Sequence, residues 1–304
     1  MVAFTCNVCG AANEVENFAT EPASCECGSN VRIRGLIHLL SMELFGSSLV
    51  LADFPKLKAL RVLGMSDQEC YARLLQEKFD YTNTYYDHEP RLDFTESHPS
   101  LYGSYDFILS ADVIEHITPP ITRALHEICL LLKPHGFLGL TIFCGAGGDM
   151  REHFPELHEY RVVPLGQSMV LINRRRDGAL EIREDLIFHG GSGATLEMRE
   201  FAIPALQNEL SASGFRECEF LTDNVPEIGV LFDEDVSQPL IARKDPFVMT
   251  KHAAHQLAEQ WLQRGKERER AERLAAQLRA ASESKWMRLG RMLGLGPKFN
   301  TSDL

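Results

Sequence analysis

The chain has 304 residues, 44% hydrophobic and 24% charged, enough for one full α/β domain with appendages and a substantial buried core. No apolar run approaches the ~18–20 residues of a membrane-spanning helix, and the N-terminus lacks the basic-then-apolar order of a secretory leader, so the expected compartment is the cytoplasm. The net charge of −12 is uneven, because eleven Lys/Arg and five Asp/Glu between Lys251 and Lys298 give that stretch +6 and leave −18 on the rest; such an acidic body argues against nucleic acid as a partner.

Eight cysteines in a cytoplasmic chain do not read as a disulfide framework. Cys6-x-x-Cys9 is followed, fifteen residues on, by Cys25-x-Cys27-Gly28, and two close pairs of soft thiolates can close a tetrahedral zinc site. The pattern resembles a zinc ribbon or knuckle, with Cys6, Cys9, Cys25 and Cys27 as ligands of a structural zinc, although one intervening residue in the second pair is fewer than the usual two. A lobe of residues 1–34 with few large apolar side chains needs such a staple. Cys70, Cys129, Cys144 and Cys218 lie singly in apolar segments and read as small buried hydrophobes.

A helical pattern over 32–46 comes next and docks the lobe on the main domain. Strands are expected at 59–64, 80–86, 91–94, 105–110 and 137–143, with helices at 69–78 and 120–133 between them. After a looser insertion over 144–200, a helix at 203–213 and strands at 215–221 and 239–243 complete the sheet. Strands alternating with helices at this spacing argue for an α/β, Rossmann-like, doubly wound sheet. From 251 to 282 an Ala, Gln, Glu and Arg composition favours an exposed helix, and Trp286, Leu289, Met292 and Leu293 then share a face flanked by basic residues. That tail suits peripheral contact with a membrane surface or a protein groove, or a frayed end.

The most telling segment is Tyr105-Asp106-Phe107-Ile108-Leu109-Ser110-Ala111-Asp112-Val113-Ile114-Glu115-His116-Ile117, an apolar strand that stops at acidic and imidazole groups. It resembles the segment after the fourth strand of class I S-adenosylmethionine-dependent methyltransferases. The last two expected strands likewise resemble the antiparallel hairpin that closes that fold. The resemblance implies a cofactor pocket of three parts. Gly64 and Met65 occupy the turn after the first strand, where this chain departs from the family by having one glycine in Val62-Leu63-Gly64-Met65-Ser66-Asp67 instead of Gly-x-Gly-x-Gly. Asp87 or Glu89, after the second strand, is expected on the ribose hydroxyls, Asp93 on the adenine amino group, and Asp112 beside the methionine part. Asp87, Glu89 and Asp93 also read as simple turn residues near Pro90.

At the far end of the loop His116 is placed to accept a proton from the methylated hydroxyl or amine. The competing reading is that Glu115 and His116 hold the loop by hydrogen bonds. In the insertion, His189-Gly190-Gly191-Ser192-Gly193-Ala194-Thr195-Leu196-Glu197-Met198-Arg199 combines glycines with His, Glu and Arg, and Phe154-Pro155-Glu156-Leu157-His158 follows His153. Both stretches, with Gly64-Met65-Ser66-Asp67, resemble a bacterial group of uncharacterised methyltransferase-like proteins. They mark His189 as a second catalytic candidate and His153, His158, Glu197 and Arg199 as substrate-binding candidates, with a hairpin turn and a surface ion pair as the bland alternative.

The domains expected are thus a zinc lobe over 1–34, a methyltransferase-like domain over 35–248 with its 144–200 insertion as a lid, and a helix with a basic tail over 249–304. The function expected is methyl transfer from S-adenosylmethionine to a hydroxyl or amine of a small polar or glycan-type acceptor. The glycan preference comes from the tail, which resembles ends of bacterial polysaccharide-assembly enzymes. The single glycine favours the alternative, a non-catalytic scaffold or binding protein on the same fold. Dinucleotide redox chemistry is disfavoured, because a pyrophosphate needs a Gly-rich turn at a helix N-terminus.

Overall fold

The computed structural model describes residues 2–15, 24–144, 149–189, 194–232 and 238–283, with the side chains of the last helix described to 277. Residues 1–250 form one compact unit and 251–304 a second, whose described residues form one helix, α5 (Lys251–Glu283). The Trp286 to Leu293 stretch lies outside the described residues. No helix among those described is long and apolar enough to cross a membrane.

The first unit opens with an antiparallel hairpin, β1 (Val2–Thr5) and β2 (Ala12–Val15). Helix α1 (Val31–Phe45) starts where Asn30 accepts a hydrogen bond from the Ile33 amide, and it stops at Gly46, whose φ of 66° only glycine adopts cheaply. Then come β3 (Leu57–Met65), α2 (Glu69–Lys78), β4 (Phe79–Thr84), β5 (Tyr105–Ala111), α3 (Ile121–Leu131) and β6 (Leu132–Thr141). The insertion supplies β7 (Arg151–Glu152), β8 (Glu159–Leu165), β9 (Ser168–Arg174), β10 (Leu180–Arg183), β11 (Phe188–His189), β12 (Thr195–Leu196) and β13 (Arg199–Glu200). The unit ends with α4 (Ile203–Ala212), β14 (Glu217–Phe220) and β15 (Leu240–Arg243).

The central sheet has the order β14-β15-β6-β5-β3-β4. Its strands β4, β3, β5 and β6 are parallel, while β15 runs antiparallel between β6 and β14. The architecture is therefore mixed α/β with a mostly parallel sheet, consistent with the class I methyltransferase arrangement expected. The strand expected over 91–94 does not form. Tyr85 donates to the Pro90 carbonyl and Leu92 donates back to Tyr85, so the chain curls onto the end of β4 and leaves a single bridge between Tyr85 and Arg91. This makes β4 the sheet edge.

Period-two alternation divides the core between the two faces. Leu63, Ile108, Leu138 and Leu140 pack with Leu125 and Ile128 of α3 and Leu206 and Leu210 of α4. On the opposite face Phe79, Phe107 and Phe137 form a row with centroids 5.3 and 5.1 Å apart. Gly139 lies on this second face, where an added Cβ would meet Leu109 at 3.0 Å and Leu36 of α1 at 3.2 Å. A strand covered on both sides is apolar along nearly all of its length. All seven residues of β5 are buried.

The four N-terminal cysteines converge. Cys6 and Cys27 Sγ lie 3.8 Å apart and Cys9 and Cys25 Sγ 3.6 Å apart, with all four within 4.8 Å of one another. An ion with bonds of ~2.3 Å to four tetrahedral sulfurs sets edges of about 3.8 Å, so the cluster has the dimensions of a metal site. Of the other four cysteines, Cys129 is buried and Cys70, Cys144 and Cys218 are half-buried.

The expected boundary at residue 34 falls inside α1. The fully buried Arg34 donates to the Ser29 carbonyl at 3.0 Å, to Ser24 Oγ at 2.8 Å and to the Gly229 carbonyl at 2.7 Å, and its guanidinium lies over the Phe4 ring. One side chain thus ties the cysteine lobe to α1 and to the loop before β15. Arg34→Met is expected to leave those carbonyls unsatisfied and to destabilise the fold by about 2–5 kcal/mol, read as a lower urea midpoint at unchanged m-value.

Candidate active site

A cavity of about 1080 Å³ opens at the carboxyl ends of β3, β4 and β5. It lies where the strand order reverses between β3 and β5, the crevice in which open α/β sheets bind ligands. Met65 at the end of β3 and Ser66 after it line the cavity, with Asp87 beyond β4 and Asp112, Glu115 and His116 beyond β5. The insertion closes another wall with Tyr160, Val162, His189 and Glu197. Two non-glycine residues on its floor adopt left-handed backbone, Ser66 at φ 54° and Asp112 at φ 55°, one after each strand flanking the reversal. Such conformations persist only where the surroundings over-determine them.

Gly64, expected at the cofactor, is not among the residues that line the cavity. A Cβ there would come within 2.2 Å of Tyr81 Oη and 2.5 Å of Asp67 Oδ2. The glycine makes room for a buried polar cluster under the turn. Tyr71 and Tyr81 donate to the two oxygens of Asp67 at 2.7 and 2.8 Å, and Asn83 exchanges hydrogen bonds with the Asp67 backbone. Burial pushes the Asp67 carboxyl up to about 7 despite these donors. The cluster holds Met65 and Ser66 in place of a glycine-rich loop.

Beyond β5, Asp112 is pinned from two sides. Thr141 Oγ1 donates to its Oδ1 at 2.8 Å, and Arg32 of α1 pairs with its Oδ2 at 2.9 Å. The next turn is clamped by the insertion. Met198 N donates to the Glu115 carbonyl at 2.9 Å and Arg199 Nη1 to the Ile114 carbonyl at 2.9 Å, while His116 Nδ1 meets the Leu196 carbonyl at 2.9 Å. A carbonyl only accepts, so His116 Nδ1 carries the proton and Nε2 keeps its lone pair. Burial lowers the pKa of this imidazole and keeps it neutral. Burial and then the Asp112 carboxylate push Glu115 up to about 8. Its two carboxylate oxygens have no hydrogen-bond partner among the described residues, so they do not hold the loop as the bland reading supposed.

Glu197 bridges two imidazoles, accepting from His153 Nε2 and His189 Nε2, each at 2.7 Å. The His116 and His189 rings meet edge to face with centroids 4.7 Å apart. His153 touches Glu197 but does not line the cavity. His158 is exposed and stands apart from it. Arg199 is buried, paired with Glu152 at 2.8 Å, and is not among the residues that line the cavity; its guanidinium braces the turn after β5. Asp93 lines the cavity, but its Oδ1 is occupied by Thr95 N and Oγ1. Of the two ribose candidates, Asp87 lines the cavity and Glu89 does not; Glu89 accepts from the Arg91 amide. Residues 190–193 of the glycine stretch lie outside the described residues.

Sequence reasoning missed Arg32 and the Asp67 cluster. Both left a trace: Arg32 and Arg34 interrupt an apolar helix, and Tyr81 and Asn83 alternate along a strand.

No protein-family model and no curated protein matches the chain. Among solved structures the chain is similar to the CMeT domain of the citrinin polyketide synthase, at 15% identity and a TM-score of 0.38 over 61% of this chain and 46% of that one. It is also similar to the 1,6-didemethyltoxoflavin-N1-methyltransferase of Burkholderia thailandensis with bound S-adenosylhomocysteine, at 18% identity and 0.35 over 60% and 70%. A third is the sugar N-methyltransferase KedS8 from a Streptoalloteichus species, at 12% identity and 0.39 over 77% and 94%. The chain spans less than half the length of the first of these. At such identities and scores the likenesses carry no argument about chemistry, which rests on this chain's own residues.

Two outcomes follow from the Asp67 cluster. Gly64→Ala is expected to cost about 1–3 kcal/mol through overpacking, seen as a lower thermal midpoint. Because the folded Asp67 carboxyl is raised from 3.8 to about 7, its stabilising contribution is present below about pH 4 and is lost as pH rises towards 7. Urea midpoints of the wild type should therefore fall between pH 4 and 7 more steeply than those of Asp67→Asn; equal slopes would contradict the assignment.

Proposed function

We propose that the chain transfers a methyl group from S-adenosylmethionine to a hydroxyl or amine of a small polar or glycan-type acceptor. The observation that carries this reading is the cavity at the strand-order reversal, with carboxylates at the ends of β4 and β5 and a half-buried neutral imidazole, His116, in the turn after β5. Ligand sites for drug-sized molecules occupy ~300–1,000 Å³, so about 1080 Å³ leaves room for a cofactor and an acceptor together.

When bound, S-adenosylmethionine supplies an activated methyl group, and the protein's task is binding, orientation and proton removal. Asp87, which lines the cavity where Glu89 does not, would accept hydrogen bonds from the ribose hydroxyls. The backbone of Met65 and Ser66 and the Asp112–Arg32 pair face the amino-acid moiety, where the Arg32 guanidinium complements a carboxylate. Leu92 and Phe94 give the adenine an apolar bed beside Asp93. His116 Nε2, with its proton on Nδ1 held by Leu196, and His189 Nδ1, with its proton on Nε2 held by Glu197, are the two lone pairs available to an acceptor's proton. The cysteine cluster holds a structural zinc, a closed four-thiolate site with no role in the chemistry.

Calorimetric titration of the zinc-replete chain with S-adenosylmethionine is expected to show one site. Asp87→Ala should weaken it roughly tenfold or more, the loss of one or two charge-assisted hydrogen bonds, and Glu89→Ala should leave it unchanged. Absence of binding at millimolar cofactor would favour the scaffold reading. Zinc analysis should give one equivalent in the cysteine lobe, lost in Cys9→Ser together with thermal stability.

A further inference from the structure

We propose that Glu115, His116 and His189 form a second metal site, holding a divalent transition-metal ion inside the cavity. One donor atom from each residue lies within 4.8 Å of the others, although they come from two elements, the turn after β5 and strand β11. Each ring has one nitrogen committed and one lone pair left. His116 gives its N–H to the Leu196 carbonyl and His189 gives its N–H to Glu197. Metal-binding histidines are oriented in this way, with the second nitrogen donating to a carbonyl or carboxylate. Glu197 is itself steadied by His153 at 2.7 Å.

The independent observation is Glu115. Its side chain belongs to a residue 2% exposed, it lines the cavity, and neither carboxylate oxygen meets a hydrogen-bond donor among the described residues. The cation beside it, Arg32, already pairs with Asp112. A buried carboxylate without donors is costly, and a cation shared with two imidazoles removes that cost. Two nitrogens and one carboxylate suit zinc, iron(II), cobalt or manganese better than calcium or magnesium. Three protein ligands also leave coordination positions open, unlike the closed four-cysteine site.

The consequence deepens the methyl-transfer reading and rests on it. An acceptor hydroxyl at an open position releases its proton to solvent near neutral pH, because the ion lowers its pKa. The oxygen then attacks the sulfonium methyl. A C–O bond forms as the C–S bond breaks, the electron pair passes to sulfur, and neutral S-adenosylhomocysteine leaves. His116 and His189 are then ligands, and the acceptor class is a hydroxyl compound such as a polyol or sugar, not an amine.

Cobalt(II) titrated into the full chain carrying a single equivalent of zinc, that of the cysteine lobe, and without S-adenosylmethionine, tests the site by calorimetry and visible absorption. One cobalt per chain with ligand-field bands and no thiolate charge-transfer band is expected. Glu115→Gln and His189→Ala should each weaken binding at least roughly tenfold, Glu197→Gln by about 10–100-fold as a loss of ligand orientation, and His158→Ala not at all. No cobalt uptake, uptake only with a thiolate band, or affinity unchanged in both Glu115→Gln and His189→Ala would overturn the proposal. Should Glu115→Gln lose its circular-dichroism signature, His189→Ala decides, since its side chain is 38% exposed and outside the core. Cobalt binding without cofactor binding keeps the metal site and sinks methyl transfer; cofactor binding without cobalt does the reverse.

Discussion

The clamp on the turn after β5 is the constraint on which the rest of the site depends. Three separate parts of the chain meet there: the end of a buried parallel strand, the first turn of α1 through Arg32, and the insertion through Leu196, Met198 and Arg199. A turn that leaves a strand through a left-handed aspartate is not stable alone. It persists because its side chain is held by Thr141 and Arg32, and its following carbonyls are taken up by the insertion. The same bonds set the orientation of His116. An imidazole fixed through a backbone carbonyl is oriented without adding a charged group to the cavity.

The floor of the cavity is shaped by a different economy. Where a glycine-rich turn lets a ligand approach the backbone, this chain spends its one glycine inward, on space for the Asp67, Tyr71, Tyr81 and Asn83 cluster. The cluster is a fully hydrogen-bonded polar knot beneath an apolar sheet, and such knots specify one arrangement because any partial loss strands a buried group. Met65 and Ser66 are held at the cavity by what lies under them. A departure from the expected glycine pattern is therefore compatible with a formed cavity.

The fold was legible because its strongest signals are local. Buried parallel strands read as near-continuous apolar runs, and β5 and the C-terminal halves of β3 and β6 announced themselves in this way. Paired cysteines in the first 27 residues pointed to one cluster because a metal site demands thiols in close pairs. The segment over 91–94 misled for a related reason: Leu92 and Phe94 are apolar and buried, but their backbone bonds return to the end of β4, and burial alone does not distinguish a strand from a packed loop.

The site was legible in its residue types and not in its pairings. The sequence alone determined a mixed α/β domain with a cysteine lobe ahead of it, and it placed Asp87, Asp112, His116, His189 and Glu197 in segments that bear on the cavity, because strand ends and glycine-flanked loops are where such side chains can face a ligand. Only the tertiary structure decided that Gly64 serves the interior, that Arg199 and His153 stand behind the wall, and that Glu115 and His189, 74 positions apart, share one point in space. Those decisions turn on distances between segments remote in the chain, set by how the insertion docks on the sheet, and no periodicity or spacing along a strand encodes them.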